Sequence, residues 1–216
     1  TAAVSGLPLA AVCLGLALAA LLAVATGATA EMVAVTPRPY ARALRNPLMG
    51  FTTSNLRVGH EWATLTHHYI RWNELENSES DGIEKIRAFC DSKWAALPAK
   101  NVKVIPRVYL HWSADNEKYW PADMTPGDYM SEQFKRRAVR LVERLGQLWD
   151  DDPRVAFVEL GIFGKWGEHH SPSPTPEMQK LVGSAFARAF KRKRISVRHA
   201  WQEFQGFGFG EYWDSW

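Results

Sequence analysis

The chain has 216 residues and a formal net charge of +3 at pH 7, from 26 basic and 23 acidic side chains. This charge is too small to indicate nucleic acid as a partner, and the one basic run, residues 191–194, ends a predicted helix, where cations favour the helix dipole. Ten tryptophans are many for this length. Because their faces stack on sugar rings but also fill cores, composition leaves both roles open.

The N-terminal segment differs in character from the rest. Residues 1–30 carry no charged side chain and end in Ala28-Thr29-Ala30, which is typical of a cleaved secretory signal peptide. The apolar run also approaches the ~20 residues that span a bilayer, so a retained membrane anchor is the alternative. We therefore predict a secreted or cell-surface protein that contacts a membrane only through an uncleaved N-terminal segment.

The remaining residues are enough for one domain with its own core. Residues 31–45 form an extended leading segment, and residues 46–216 form the domain. Removing the signal also removes Cys13, which leaves Cys90 without a disulfide partner. Since Cys90 lies on the apolar side of a predicted helix, we expect a buried small hydrophobe there rather than a nucleophile.

Strands and amphipathic helices alternate along this domain. β-branched and aromatic runs predict strands, and 3.6-residue apolar spacing predicts helices. The predicted strands are a short one near Phe51, then 64–72, 102–110, 155–160, 195–199 and one more within 206–216. The predicted helices are 82–97, 131–149 and 175–190. Pro106, inside the third strand, predicts an irregular or bulged position.

This order predicts an α/β fold with parallel strands joined by right-handed crossovers. No G-x-G-x-x-G loop follows the first strand, which weakens the doubly wound dinucleotide-binding alternative. A closed barrel needs ~250 residues. The sequence therefore predicts a partial (β/α)8 TIM-type barrel, truncated after about strand 5 or 6.

Active sites of such barrels lie at the C-terminal ends of the strands, and charged and aromatic residues recur at these positions here. Core packing does not explain that recurrence, because cores exclude such polar side chains. We therefore predict a substrate-binding rim made of Arg71, Trp72, Glu76, Arg107, Trp112, Lys165, Trp166, His170, Arg198 and Asp214.

Four sequence blocks carry a resemblance to known proteins: NPLMGF at 46–51, YIRWNELE at 69–76, GIFGKWGEHH at 161–170 and GEYWDS at 210–215. The first two resemble the opening of barrels of the large retaining glycosidase clan. The third is similar to a GxxGxWGEwH block of a bacterial family of glycoside-hydrolase-like proteins, and the fourth to another block of that family. One departure is His169, which stands where that family usually has an aromatic residue.

The resemblance implies an exported carbohydrate-active protein whose acid/base carboxylate follows the fourth strand. Glu168 matches the block by position, and Glu159, within the strand, is the competing candidate. The clan's nucleophile comes from a seventh strand, so the resemblance implies that it lies outside this sequence and that this chain alone is inactive. The alternative is a carbohydrate-binding or membrane-anchored surface protein that has the barrel without the chemistry.

Two histidine pairs raise the question of a metal. The adjacent residues His169 and His170 lack the i, i+4 spacing of H-E-x-x-H, and His67 and His68 lie on a strand, where neighbours face opposite ways. Neither spacing fits a zinc site. The sequence therefore predicts neither a catalytic metal nor a cofactor.

Overall fold

A computed structural model describes residues 33–37, 48, 50–112 and 117–213. The chain divides into two compact units, Thr1–Ala43 and Leu44–Trp216. Of the first unit only residues 33–37 are described, and they are exposed and form no helix or strand. The proposed signal peptide or anchor lies outside the described residues. Within the described part of the chain, no helix is both long and apolar enough to cross a membrane.

The second unit is built on a six-stranded sheet in which every neighbouring pair of strands is parallel and the strand order follows the chain. This sequential parallel order is that of a (β/α) barrel, so the predicted partial TIM-type barrel is confirmed. The strands are β1 Phe51–Thr53, β2 Ala63–Arg71, β3 Lys103–Tyr109, β4 Val158–Glu159, β5 Ile195–Val197 and β6 Gly210–Glu211.

Three long helices lie between these strands, as the apolar spacing predicts, and two one-turn helices were not predicted. Ser131 and Thr175 begin the last two long helices by accepting hydrogen bonds from the backbone N–H groups three residues later, at 3.1 and 3.3 Å. Such caps stabilise a helix by about 1 kcal/mol. The helices are α1 Trp72–Leu75, α2 Ile83–Trp94, α3 Glu132–Trp149, α4 Pro176–Ala189 and α5 Gln202–Gln205.

The hydrophobic core fills the space between the sheet and the helices. Trp94 of α2 and Trp149 of α3 are buried there with ring centroids 5.6 Å apart. Cys90 packs beside them and accepts a hydrogen bond from Trp149 Nε1 at 3.3 Å. Cys90 is 3% exposed, so the prediction of a buried cysteine is confirmed, and burial raises the pKa of its thiol to about 12, which disfavours the reactive thiolate.

Pro106 lies at an irregular position of the sheet, as expected from the sequence, although β3 itself is not bulged. It pairs with His68 in an unbroken β2–β3 register. The irregularity lies in the facing chain: between the Val104–Val155 bridge and the Arg107–Glu159 pair, β3 advances three residues while the chain entering β4 advances four. The extra residue interrupts the ladder opposite Pro106, which has no N–H to donate.

Candidate functional site

The register of the sheet gathers polar side chains on one face. Tyr69 of β2 pairs with Arg107 of β3, Arg107 with Glu159 of β4, and Glu159 with Ser196 of β5. Paired residues of parallel strands point to the same side of the sheet. The neighbouring residue His68 of β2 points to the opposite side, where it packs against α2 and accepts a hydrogen bond from Trp94 Nε1 at 3.0 Å. The four paired residues therefore lie on the inner face of the partial barrel, opposite the helices.

Arg107 is the centre of this inner face. Its Nε donates to Glu159 Oε2 at 2.7 Å, and its Nη1 donates to Glu168 Oε1 at 3.1 Å. The guanidinium lies over the Tyr69 ring at 4.8 Å and the Tyr212 ring at 4.4 Å. Burial opposes the charge, but Glu159 and both tyrosines raise the pKa of Arg107 above its usual value. Arg107 is thus a permanent cation that joins two carboxylates.

Glu159 is the more deeply buried of the two carboxylates. Its side chain is 2% exposed and lies 3.2 Å from His67 Nε2 as well as against Arg107. Burial alone would raise its pKa, but the His67 hydrogen bond and the Arg107 charge hold the pKa of Glu159 below its usual value. Glu159 is therefore ionised at neutral pH and suited to fixing Arg107 rather than to donating a proton.

Glu168 lies further out, on the loop after β4, with 15% of its side chain exposed. Besides Arg107, its carboxylate is 3.7 Å from Arg198 Nε and 3.8 Å from His170 Nε2. Glu168, Arg107 and Arg198 thus come from three different strand ends and meet at one rim. Arg71 contributes to a neighbouring part of the rim, where its guanidinium lies 5.1 Å from the Tyr119 ring centre.

The loop that carries Glu168 has an unusual backbone. Ile162, Trp166 and His169 all have positive φ, between 56° and 64°, which is rare for residues with a side chain and most costly for a β-branched one. Gly161 is required for a different reason, because a Cβ there would lie 2.1 Å from the Val108 carbonyl oxygen. The glycine-rich block at 161–170 therefore encodes a tightly packed loop that fixes Glu168.

His169 does not offer its ring to a sugar. It is fully buried among Phe163, Trp201 and Phe204, and its Nε2 lies 2.7 Å from the Leu160 carbonyl oxygen. Burial lowers the pKa of His169 to about 4. His169, the position at which the 161–170 block differs from the similar family block, therefore lies in the core beneath the loop. It is not on a surface that could stack on a sugar ring.

Aromatic side chains line the rim beside Glu168. The half-buried Trp112 contacts Tyr69, Tyr109 and Trp166 with ring centroids 5.6, 5.2 and 6.5 Å apart. Trp166 also packs on His170 at 5.6 Å. Trp112, Trp166 and His170 therefore lie together as predicted. Lys165 is on the same loop, and its backbone N–H binds the His170 carbonyl oxygen at 2.8 Å.

Two predicted rim residues lie elsewhere, which corrects the sequence analysis. Trp72 begins α1 and is fully buried against Phe134 of α3, because the chain turns away from the rim directly after Arg71. Glu76 is also fully buried, beneath α3, where Arg144 binds its carboxylate. Neither side chain reaches a ligand at the rim. Asp214 lies outside the described residues.

Other rim residues were not among the predicted binding residues. They are His67 and Tyr69, four and two positions before Arg71 on β2, and Tyr212, whose hydroxyl donates to the Gly167 carbonyl oxygen at 3.2 Å. The signal that identifies the first two is strand parity, since residues i and i+2 share a face. No group of three or more His, Cys, Asp or Glu side chains in the described part of the chain could hold a metal ion.

No protein-family model matches this chain, and no curated protein matches it by sequence. Solved structures do resemble it. The exo-β-1,4-mannosidase from Opitutaceae bacterium strain TAV5 matches with a TM-score of 0.51 at 11% identity, over 65% of this chain and 25% of that chain. Endo-glycoceramidase II from Rhodococcus sp. matches with a TM-score of 0.45 at 10% identity, over 62% of this chain and 40% of that chain.

The catalytic domain of the major endoglucanase from Xanthomonas campestris pv. campestris matches with a TM-score of 0.41 at 11% identity, over 65% of this chain and 42% of that chain. The match thus spans a quarter of the mannosidase and less than half of the other two. At these identities the likeness concerns the fold. The mannosidase match, together with the parallel sheet, shows a partial (β/α) barrel fold for this chain.

Proposed function

We propose that this protein is an exported glycoside-hydrolase-like protein that acts on a carbohydrate, with Glu168 as the acid/base carboxylate. The observation that carries the proposal is the position of Glu168. It is a partly exposed carboxylate at the C-terminal ends of parallel strands, held by Arg107 and flanked by Trp112 and Trp166. That rim is where barrel enzymes place their chemistry, and tryptophan faces suit sugar rings.

The burial of the two carboxylates favours Glu168 over Glu159 for this role. Arginine is paired with both, so charge does not separate them. An acid/base group must come within hydrogen-bond reach of the substrate, and Glu168 is 15% exposed whereas Glu159 is 2% exposed. We therefore assign Glu159 as a positioning residue that fixes Arg107, which in turn fixes Glu168.

Glu159 and Glu168 do not form the catalytic pair. Glycosidases place the scissile bond between two carboxylates, about 5–5.5 Å apart in retaining enzymes. Here the Arg107 guanidinium bonds both carboxylates and occupies the position between them. We therefore propose that a different carboxylate is the second catalytic group. The resemblance implies that it comes from a seventh strand, and on that ground we expect the 216-residue chain to show no turnover of aryl glycosides. Strong turnover by this chain would contradict that expectation.

Glu168→Gln in a form of the protein with glycosidase activity is the test of the acid/base role. Loss of a general acid/base costs roughly 10²–10⁴-fold in rate, so we expect kcat to fall by that amount while glycan binding is retained. Glu203→Gln, on α5, is the matched control and leaves kcat unchanged. Turnover of Glu168→Gln at the parent rate would exclude the proposed role.

A non-catalytic carbohydrate-binding protein is the second candidate. The observation that favours it is the pairing of Glu168 with both Arg107 and Arg198, because such ion pairs also serve only to order a loop. This candidate predicts glycan binding without turnover in every form of the protein.

Export is proposed from the sequence of residues 1–30. Mass spectrometry of the protein recovered from its native cells tests it. A mature N-terminus near Glu31 is expected for a cleaved signal peptide, and an intact segment in the membrane fraction for an anchor. An intact segment on protein recovered from the cytosol would contradict both.

A further inference from the structure

A cavity of about 420 Å³ lies beside the Glu168 cluster, between the β1–β2 loop and the ends of β2 and β3. This volume is within the ~300–1,000 Å³ range of small-molecule sites. Tyr69 forms the boundary, since its ring lines the cavity and also packs on the Arg107 guanidinium. Tyr69 therefore connects the cavity to the Glu168 cluster through Arg107, which binds Glu168.

Aromatic rings form one wall of this cavity. Tyr109 lies 5.2 Å from Trp112 and 5.6 Å from Tyr119, measured between ring centroids, and Tyr69 lies 5.6 Å from Trp112. These contacts link the four rings in a row, with neighbouring ring planes inclined by 52° to 88°, so the wall presents both ring faces and ring edges. An aromatic face suits the apolar face of a sugar ring. The cavity is thus suited to one unit of a longer glycan whose neighbouring unit reaches Glu168.

Positive charge distinguishes this cavity from a neutral sugar site. Among its described lining residues Arg71 and Lys93 are exposed cations and Glu74 is the one carboxylate. Lys118 adds a third cation at the edge, with its Nζ 5.4 Å from the Tyr119 ring centre. His68 also lines the cavity but stays neutral at physiological pH, because burial and the Lys93 charge lower its pKa to about 4.

Arg71 differs from Arg107 in its partners. The Arg71 guanidinium lies over Tyr119 and interacts with the Tyr109 hydroxyl, and both groups are uncharged. The charge of the nearby Glu74 carboxylate also favours the Arg71 cation, but its hydrogen bond is to the Arg71 backbone N–H, at 3.1 Å, and not to the guanidinium. Arg107 is bound by two carboxylates of the protein. Within the described residues, the positive charge of Arg71 is thus held by rings and not by an ion pair.

We propose that this cavity binds a sugar unit that carries an acidic group, a carboxylate or a sulfate, with Arg71 as the residue that recognises the charge. The proposal rests on the proposed function and narrows its substrate class to acidic glycans. A guanidinium presents paired N–H donors that match the two oxygens of a carboxylate or sulfate. The rings hold the sugar, and Arg71 selects the charged one.

The test is titration calorimetry of the purified protein with three matched sets of tetrasaccharides: neutral, uronate-bearing and sulfate-bearing. We expect one acidic set to bind roughly 10- to 100-fold more tightly than the neutral set, as a charged hydrogen bond provides. We also expect this preference to shrink as salt is raised. Comparison of the uronate and sulfate sets identifies the acidic group.

The variants separate the possible outcomes. Arg71→Gln removes the preference, and Arg71→Lys keeps part of it. Arg87→Gln, an exposed α2 arginine paired with Glu84 and remote from the cavity lining, leaves it unchanged. Equal binding of neutral and acidic glycans, or an unchanged preference in Arg71→Gln, overturns this inference and leaves the proposed function standing. Binding of none of the three sets overturns both.

Discussion

Two arginine–carboxylate clusters lie on opposite sides of the same sheet. On the helix side, Glu76 is bound by Arg144 and lies 3.6 Å from Arg137, with Glu76 and Arg137 both fully buried. On the inner side, Arg107 is bound by Glu159 and by Glu168, which reaches solvent. The chemistry is the same, but the carboxylate of the first cluster is fully buried, whereas Glu168 of the second is 15% exposed at the rim.

The difference teaches that residue type alone does not mark a site. Buried ion-pair networks are as charged as active sites, so a perturbed cluster becomes a functional candidate only when it borders space for a ligand. The Glu168 cluster borders a cavity lined by aromatic rings, whereas Glu76 lies beneath a helix. The Glu76 cluster is therefore expected to affect stability, and the Glu168 cluster to affect turnover.

The substitution Glu76→Gln has the largest expected effect, and it tests the comparison through the stability of the protein. Removing one partner of a buried ion pair leaves an uncompensated charge and costs about 3–5 kcal/mol. We expect the free energy of unfolding, measured by urea denaturation, to fall by that amount, and the remaining folded protein to bind glycan as before. Glu168→Gln is the counterpart, with a stability loss of about 1 kcal/mol or less.

The reverse pattern would break the comparison. If Glu168→Gln unfolded the protein while Glu76→Gln left the free energy of unfolding unchanged, the assignment of the two clusters would be exchanged.

The second prediction concerns pH and the buried histidine beneath the Glu168 loop. His169 has a pKa of about 4 in the folded protein, against 6.5 for an unperturbed histidine. Between those values the unfolded chain takes up a proton that the folded protein does not, so stability is full above pH 6.5 and falls as pH decreases toward 4. This contributes up to about 3 kcal/mol. Urea denaturation across this range measures it.

His169→Phe is the variant for that prediction, since its neighbours are aromatic. We expect a shallower fall of stability between pH 6.5 and 4 than in the parent. His60→Gln, at an exposed position, is the control and keeps the parent slope. An unchanged slope in His169→Phe would contradict the buried neutral histidine.

The third prediction concerns the close packing of the loop at 161–170. Of the three predictions, its substitution, Gly161→Ala, has the smallest expected effect. Its Cβ would lie 2.1 Å from the Val108 carbonyl oxygen and 2.9 Å from Arg107 Cγ, so the loop must shift. We expect a loss of about 1–3 kcal/mol in stability together with weaker glycan binding. Gly206→Ala is the matched control, since nothing lies within 4 Å of its Cβ position. Equal effects of the two alanines would contradict the close packing.

Sequence reasoning predicted the barrel and the rim, because both follow from local patterns. Apolar spacing and strand composition identified the three long helices and the order of strands. Parallel strands then bring trailing residues such as Arg107, Glu168 and Arg198 to one end. The one-turn helix Trp72–Leu75 was missed, since four residues are too few for a periodic signal. That error carried Trp72 and Glu76 into the predicted rim.

The register of β4 also could not be predicted from the sequence. The extra residue opposite Pro106 and the strained loop after β4 decide which of Glu159 and Glu168 is buried. Neither feature produces a periodic pattern in the sequence. The tyrosines at 69 and 212 became rim residues only once their rings were placed on Arg107. Long-range pairing, not local preference, decided these positions.

The most direct test of the account is an NMR titration of the tryptophan indole N–H signals, assigned by single Trp→Phe variants, with a glycan that the protein binds. We predict that the signals of Trp112 and Trp166 shift on binding, while those of the core residues Trp94 and Trp149 stay in place. Shifts of the core signals with Trp112 and Trp166 unmoved would contradict a carbohydrate site at the Glu168 rim.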